Sequence, residues 1–206
     1  DGTVTVPNQG EHDTILAPDA PGEVEENGTV TIPNGSGETV INPNGDVTLP
    51  NGSVVDPNGP VTINPDTGNV EIPIEDGSII VTPEGDTQLP NDTVIKPDGT
   101  VELPTGDAIT GNATVEEDGS VTITTQDGAI TVDPDGNMTV TNGGNHDTQI
   151  DAGADVTVED NGTVTVGPNG TVITPEGTVE LPNGVGTVTP TGPVTVDKDG
   201  NVTKSI

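Results

Sequence analysis

Residues 45–59 read GDVTLPNGSVVDPNG and set the pattern for the whole chain. Two short segments, Asp46-Val47-Thr48-Leu49 and Ser53-Val54-Val55-Asp56, each run into a proline that is followed by Asn-Gly. Side chains alternate along a strand with period two, so Val47 and Leu49 share one face while Thr48 takes the other. Pro-Asn-Gly then turns the chain: proline presets φ, asparagine tolerates unusual backbone angles, and glycine adopts positive φ freely. Variants recur as GTVTIPNG, GNVEIP, GDTQLPND, DTVIKPDG, GTVELPTG, GTVITPEG and GTVELPNG. Short strands joined by tight turns are the expected architecture.

Composition narrows the kind of core these strands can build. The hydrophobic fraction is 27%, against about 45–50% in ordinary globular chains when glycine is counted as well. There is no Phe, Trp, Tyr or Cys, and the one methionine is Met138. Twenty prolines and 29 glycines at strand-length spacing exclude long helices. Acidic chains rich in Pro and Gly are often disordered because they bury too little apolar surface. Here the apolar residues recur at strand spacing, which argues for a thin core of stacked Val and Ile. Disulfide stapling is excluded.

The net charge is −32, with 35 acidic residues and three lysines, Lys96, Lys198 and Lys204. Nucleic acids and anionic membrane surfaces need a basic footprint, so neither is an expected partner. No apolar run approaches the ~18 residues of a membrane span. The charge suits solubility, hard cations such as calcium, or a basic partner.

A longer repeat lies over the short one. The two histidines occupy matching contexts, Glu11-His12-Asp13-Thr14 and Asn145-His146-Asp147-Thr148, with 146 − 12 = 134 residues between them. Asn27-Gly28-Thr29-Val30-Thr31 matches Asn161-Gly162-Thr163-Val164-Thr165 at the same offset. Gly59-Pro60-Val61-Thr62 matches Gly192-Pro193-Val194-Thr195 at 133. The chain therefore reads as one continuous array over 1–206, in which 1–72 and 135–206 are related copies and 73–134 intervenes.

Two all-β folds fit the turns. In a parallel β-solenoid, strands stack coil over coil about 4.8 Å apart with inward ladders of Val and Ile. In an antiparallel hairpin repeat or β-sandwich, each Pro-Asp-Gly closes a hairpin through a type I turn and a glycine bulge. Segments alternate between a V-x-L/I-P form (Val47-Thr48-Leu49, Val101-Glu102-Leu103, Val179-Glu180-Leu181) and a V-V/I-x-P form (Val54-Val55, Val94-Ile95, Val172-Ile173). Read as faces of a coil revisited in order, that alternation predicts the solenoid, and the missing aromatics suit a narrow interior.

Candidate sites are few. Asp133-Pro134-Asp135-Gly136-Asn137 and Asp197-Lys198-Asp199-Gly200-Asn201 both read D-x-D-G-N. Oxygen side chains spaced around a glycine turn can converge on Ca2+, as at the start of an EF-hand loop. That makes Asp133, Asp135, Asn137, Asp197, Asp199 and Asn201 the candidate metal ligands. Against this, the downstream bidentate Glu and flanking helices are absent, and Asp and Asn are in any case good turn formers. His12-Asp13 and His146-Asp147 could couple acid and base, but adjacent strand residues face opposite ways. No nucleophile, oxyanion donor or phosphate cradle is apparent, so an enzyme is not expected. Nine Asn-x-Ser/Thr triplets match the N-glycosylation acceptor, at Asn27, Asn34, Asn51, Asn91, Asn112, Asn137, Asn161, Asn169 and Asn201. A turn followed by Thr generates that triplet by construction.

The tandem G-T-V-x-L-P-N-G units in an acidic, Cys-free chain resemble the repetitive regions of secreted bacterial surface and fibre proteins. That resemblance implies an extracellular or cell-surface location and a structural role, as a fibre subunit or stalk associating end to end or side by side. A calcium-binding adhesin or spacer is the competing expectation. Thr-x-Thr pairs such as Thr3/Thr5, Thr29/Thr31, Thr139/Thr141, Thr163/Thr165 and Thr187/Thr189 resemble the ranks of ice-binding solenoids. If the array continues in register, a segment like 73–134 is expected after Ile206 and another before Asp1.

Overall fold

The structure, a computed structural model, describes residues 3–10, 12–141 and 146–204 of the chain. Glu11, Asn145 and both chain termini, which carry parts of the repeat matches, lie outside the described residues. The described residues are all β except for one short 3-10 turn at Pro182–Gly184. It forms two compact units: unit 1 comprises 1–90, 94–99 and 114–120, and unit 2 comprises 91–93, 100–113 and 121–206.

In unit 1, β1 (Val4–Val6) and β2 (Thr14–Leu16) form a hairpin. The chain then leaves for a five-stranded meander of β3 (Glu23–Val24), β4 (Val30–Asn34), β5 (Gly37–Ile41), β6 (Val47–Thr48) and β7 (Val54–Val55). It returns as β8 (Val61–Ile63), which lies parallel to β2. β9 (Val70–Ile74), β10 (Gly77–Val81), β11 (Thr87–Gln88) and β12 (Val94–Ile95) continue outward from β8 as antiparallel neighbours. β13 (Thr100–Glu102) and β14 (Ala108–Thr110) form a hairpin of unit 2, and β15 (Asn112–Val115) runs from unit 2 into unit 1.

Unit 2 repeats the scheme. β16 (Val121–Thr124), β17 (Ala129–Val132), β18 (Met138–Thr141) and β19 (Thr148–Ile150) pair antiparallel in order. A second five-stranded meander follows, made of β20 (Val156–Val158), β21 (Val164–Val166), β22 (Thr171–Ile173), β23 (Val179–Glu180) and β24 (Thr187–Val188). β25 (Val194–Val196) returns parallel to β19, and β26 (Val202–Lys204) pairs with it. Strands β18–β26 thus repeat the pairing scheme of β1–β9. Thr14↔Val61 and Thr148↔Val194 occupy the same place in the two parallel crossovers.

Among the described residues every pairing within a unit is antiparallel except those two crossovers, so they do not form the parallel solenoid that the segment alternation predicts. The reason lies in the turns. At 25–29, 42–46, 49–53, 103–107, 116–120, 133–137, 159–163, 174–178 and 197–201 one arrangement recurs. The first residue's N–H donates to the carbonyl of the fifth, and the glycine at the fourth position donates back to the first. That is a three-residue hairpin loop closed by a type I turn with glycine in the left-handed region, and it reverses the strand. At many of these turns the Asn or Asp before glycine also accepts the N–H of the residue after it, as in Asn27 with Thr29, Asn51 with Ser53 and Asn161 with Thr163.

The core consists of rows of β-branched side chains along the registers. Val30, Ile41, Val47 and Val55 form one fully buried row across the first meander. Leu16, Ile63, Val70, Val81, Thr87 and Ile95 form another, likewise buried. In unit 2 Val121, Val132, Met138, Ile150 and Val196 do the same. Inward rows of Val and Ile, with no aromatic residue, are how a chain of 27% hydrophobic content sustains a core.

Candidate functional site

The two D-x-D-G-N turns use their side chains on themselves. Asp133 Oδ1 accepts the Asn137 backbone N–H at 2.8 Å and Oδ2 accepts the Asn137 side-chain amide at 2.9 Å. Asn137 Oδ1 is turned away and accepts the N–H of Ala152 at 3.0 Å. Asp197 Oδ1 accepts the N–H groups of Asp199 and Asn201, and its Oδ2 accepts the Asn201 amide at 2.9 Å. The Asn201 amide, and after it the Asn201 backbone N–H, holds the Asp197 carboxyl below the ordinary carboxylate value. Asp135 and Asp199 are exposed, and Asp199 lies 3.6 Å from the Lys198 ammonium. In both turns the asparagine presents N–H rather than oxygen to the aspartate. Among the described residues no group of three or more His, Asp or Glu side chains is placed to hold a metal ion.

The histidines stand just before β2 and β19, outside any strand, half-buried beside exposed Asp13 and Asp147. His12 lines a small recess with Asn8, Asn44 and Asp56, and Asn8 Nδ2 donates to the His12 carbonyl and to Thr14 Oγ1. A groove of about 230 Å³ runs past Asp133, Asn137, Thr139, Gln149 and Asp151. It holds carboxylates, amides and a hydroxyl but no base–nucleophile pair.

The glycosylation triplets separate by burial. Asn34 is fully buried, donates to the Thr82 carbonyl at 3.0 Å and accepts the Thr39 hydroxyl at 2.7 Å. Asn91 is buried and donates to the Asp133 carbonyl. Asn27, Asn112, Asn161, Asn169 and Asn201 are exposed.

The threonine pairs give a different result from the one their spacing suggests. The rank in unit 2 runs across strands, not along one: Thr122, Thr131, Thr139, Gln149, Thr195 and Thr203 are successive register partners from β16 to β26. These side chains lie on the face opposite the buried row, none of them buried. Thr122 and Thr131 hydroxyls hydrogen-bond at 3.1 Å. Sequence reading missed this rank because it depends on which strands are neighbours.

No family model matches the chain, and no curated protein does. Among solved structures, the TCP10 domain of Danio rerio CPAP in complex with a STIL peptide is 18% identical, over 91% of this chain and 83% of that one, with a TM-score of 0.25. The G-box domain of the microcephaly protein CPAP is 21% identical, over 82% and 98%, with a TM-score of 0.23. At these TM-scores neither likeness carries an argument about fold or function. No helix among the described residues is long and apolar enough to cross a membrane.

Proposed function

We propose that this chain is a structural repeat protein, a segment of an extracellular fibre or cell-surface stalk whose units associate through β-strand pairing. One observation carries the reading: a nine-strand pairing scheme, including its parallel crossover, occurs twice, with Thr14 and Thr148 offset by 148 − 14 = 134 residues and Val61 and Val194 by 194 − 61 = 133. Duplication of an entire scheme, turns included, is how quasi-one-dimensional arrays grow. A surface of −32 net charge keeps such an array soluble and discourages lateral aggregation. Electron microscopy of the native material tests the reading. Filaments or regular end-to-end contacts are expected; uniform isolated particles would overturn it.

A second reading, ice binding, is favoured by the outward rank Thr122-Thr131-Thr139-Gln149-Thr195-Thr203, whose members recur at the strand spacing of about 4.8 Å. Thermal hysteresis that disappears in Thr139→Tyr would support it. Absence of hysteresis in the unaltered protein would remove it.

A further inference from the structure

The duplicated scheme gives each strand of β1–β9 a counterpart in β18–β26, and two pairs of counterparts differ sharply in exposure. Val4 of β1 is 50% exposed, whereas Met138 at the same place in β18 is 2% exposed. Val24 of β3 is 49% exposed, whereas Val158 in β20 is 7% exposed. In the second copy two groups of the preceding stretch meet these strands, one along β18 and one at the main chain of Val158. β17 lies along β18 with Val132 opposite Met138, Thr131 opposite Thr139 and Ile130 opposite Val140. Asp107 Oδ2 accepts the Val158 N–H at 2.6 Å. Both come from the stretch 103–134, which precedes the second copy. In the first copy, among the described residues, β1 is the last strand of its sheet and pairs with β2.

We infer that the free edge of β1, together with the exposed end of β3 at Val24, is a docking surface for a polypeptide segment with the sequence pattern of residues 103–134. The inference deepens the structural-repeat reading by naming what this surface takes. The edge has the chemistry of a strand that is normally covered. Val4, Thr5 and Val6 alternate like Met138, Thr139 and Val140, and β1 carries neither a lysine nor a bulge, two devices that blunt exposed edges. An incoming strand adds by main-chain hydrogen bonds, with alternate side chains supplying the selectivity. By the register of the second copy, Val132 of the segment sits opposite Val4, Thr131 opposite Thr5 and Ile130 opposite Val6. Pro7 follows and has no N–H to donate, so the ladder is three residues long and the contact at Val24 is its second anchor. Docking is not electrostatic. The stretch 103–134 carries Asp107, Glu116, Glu117, Asp118, Asp127 and Asp133 with no basic residue, and it meets a chain of charge −32. Binding therefore tightens as salt screens the repulsion.

The test adds a synthetic peptide of sequence 103–134 to the full 15N-labelled chain. Amide shifts at Val4–Val6 and at Val24 are expected, with slowed exchange of the β1 amides and tighter binding at higher salt. An Ile130→Pro peptide is expected to lose the β1 shifts and bind at least about tenfold more weakly, since proline removes a ladder donor and bends the strand. An Asp107→Ala peptide is expected to lose the shift at Val24 while keeping those at β1. These variants alter only the peptide, so the protein's folding is untouched. No shifts, shifts confined to other exposed strands such as those of Val54 and Val188, or equal binding by the Ile130→Pro peptide would each overturn the inference. Filaments without peptide binding would remove this inference and leave the fibre reading; binding to isolated particles would do the reverse.

Discussion

Asp197 holds the 197–201 turn by accepting the N–H groups of Asp199 and Asn201 and the Asn201 amide. These bonds lower its pKa from 3.8. A carboxyl depressed in the folded state contributes stability that is complete above its unfolded pKa and is lost as pH falls through the folded value. In Asn201→Ala the largest cause is gone, so the Asp197 midpoint in a carboxyl-carbon NMR titration is expected to rise toward 3.8. Asp92 offers a second residue-scale test. In Pro90-Asn91-Asp92 it stands where glycine stands in Pro50-Asn51-Gly52, and both have positive φ, 66° and 87°. A Cβ makes the left-handed region costly, though least for Asn and Asp. Asp92→Gly, at an exposed position, is expected to stabilise the chain by about 0.5–1 kcal/mol in urea denaturation. A loss of stability would show that the Asp92 side chain contributes more than its backbone costs.

At the scale of elements, strand positions and turn type were legible because proline, Asn/Asp and glycine each act locally. Strand direction was not, and the two segment forms show why. In the L-P turns the residue before proline points inward: Leu49, Leu89 and Leu103 are buried, as are Ser53 and Thr93, which follow Gly52 and Asp92. In the V-V/I-x-P segments the inward residue comes one place earlier: Val55, Ile95 and Ile173 are buried, while Asp56, Lys96 and Thr174 before proline are not. The alternation between V-x-L-P and V-V-x-P therefore records two phases of a hairpin turn, not two faces of a coil. Long-range anchors were also hidden. Asn34 read as an acceptor triplet, yet it ties the β4–β5 hairpin to the Thr82 carbonyl and to the Thr39 hydroxyl. Asn34→Ala leaves those two groups without that partner in a buried site, and is expected to cost about 1–3 kcal/mol. Chemical denaturation measures it, and a cost near zero would place water in the role of the amide.

For the whole molecule, the 134-residue duplication was legible as matched residues, because each copy needs the same turns to rebuild the same pairings. What those copies build depends on the crossovers β2–β8 and β19–β25, whose partners lie 47 and 46 residues apart at Thr14↔Val61 and Thr148↔Val194 and leave no local mark. Charge acts at this same scale. Against 35 acidic residues, Lys96 forms an ion pair with Asp86 at 2.8 Å, and Lys198 sits 3.6 Å from Asp199 in an exposed contact. Most carboxylates therefore repel through solvent, a destabilisation that salt reduces as the Debye length falls from about 30 Å at 0.01 M to about 3 Å at 1 M. The melting temperature is expected to rise steadily with sodium chloride over that range. Calcium separates screening from binding. Because Asn137 and Asn201 turn their amide N–H groups toward Asp133 and Asp197, calcium is expected to match magnesium at equal ionic strength. A melting temperature raised selectively by about 1 mM calcium, and restored by chelator, would show that the turns rearrange to bind it. The same experiment on Asp133→Asn and Asp197→Asn would then identify which turn does so.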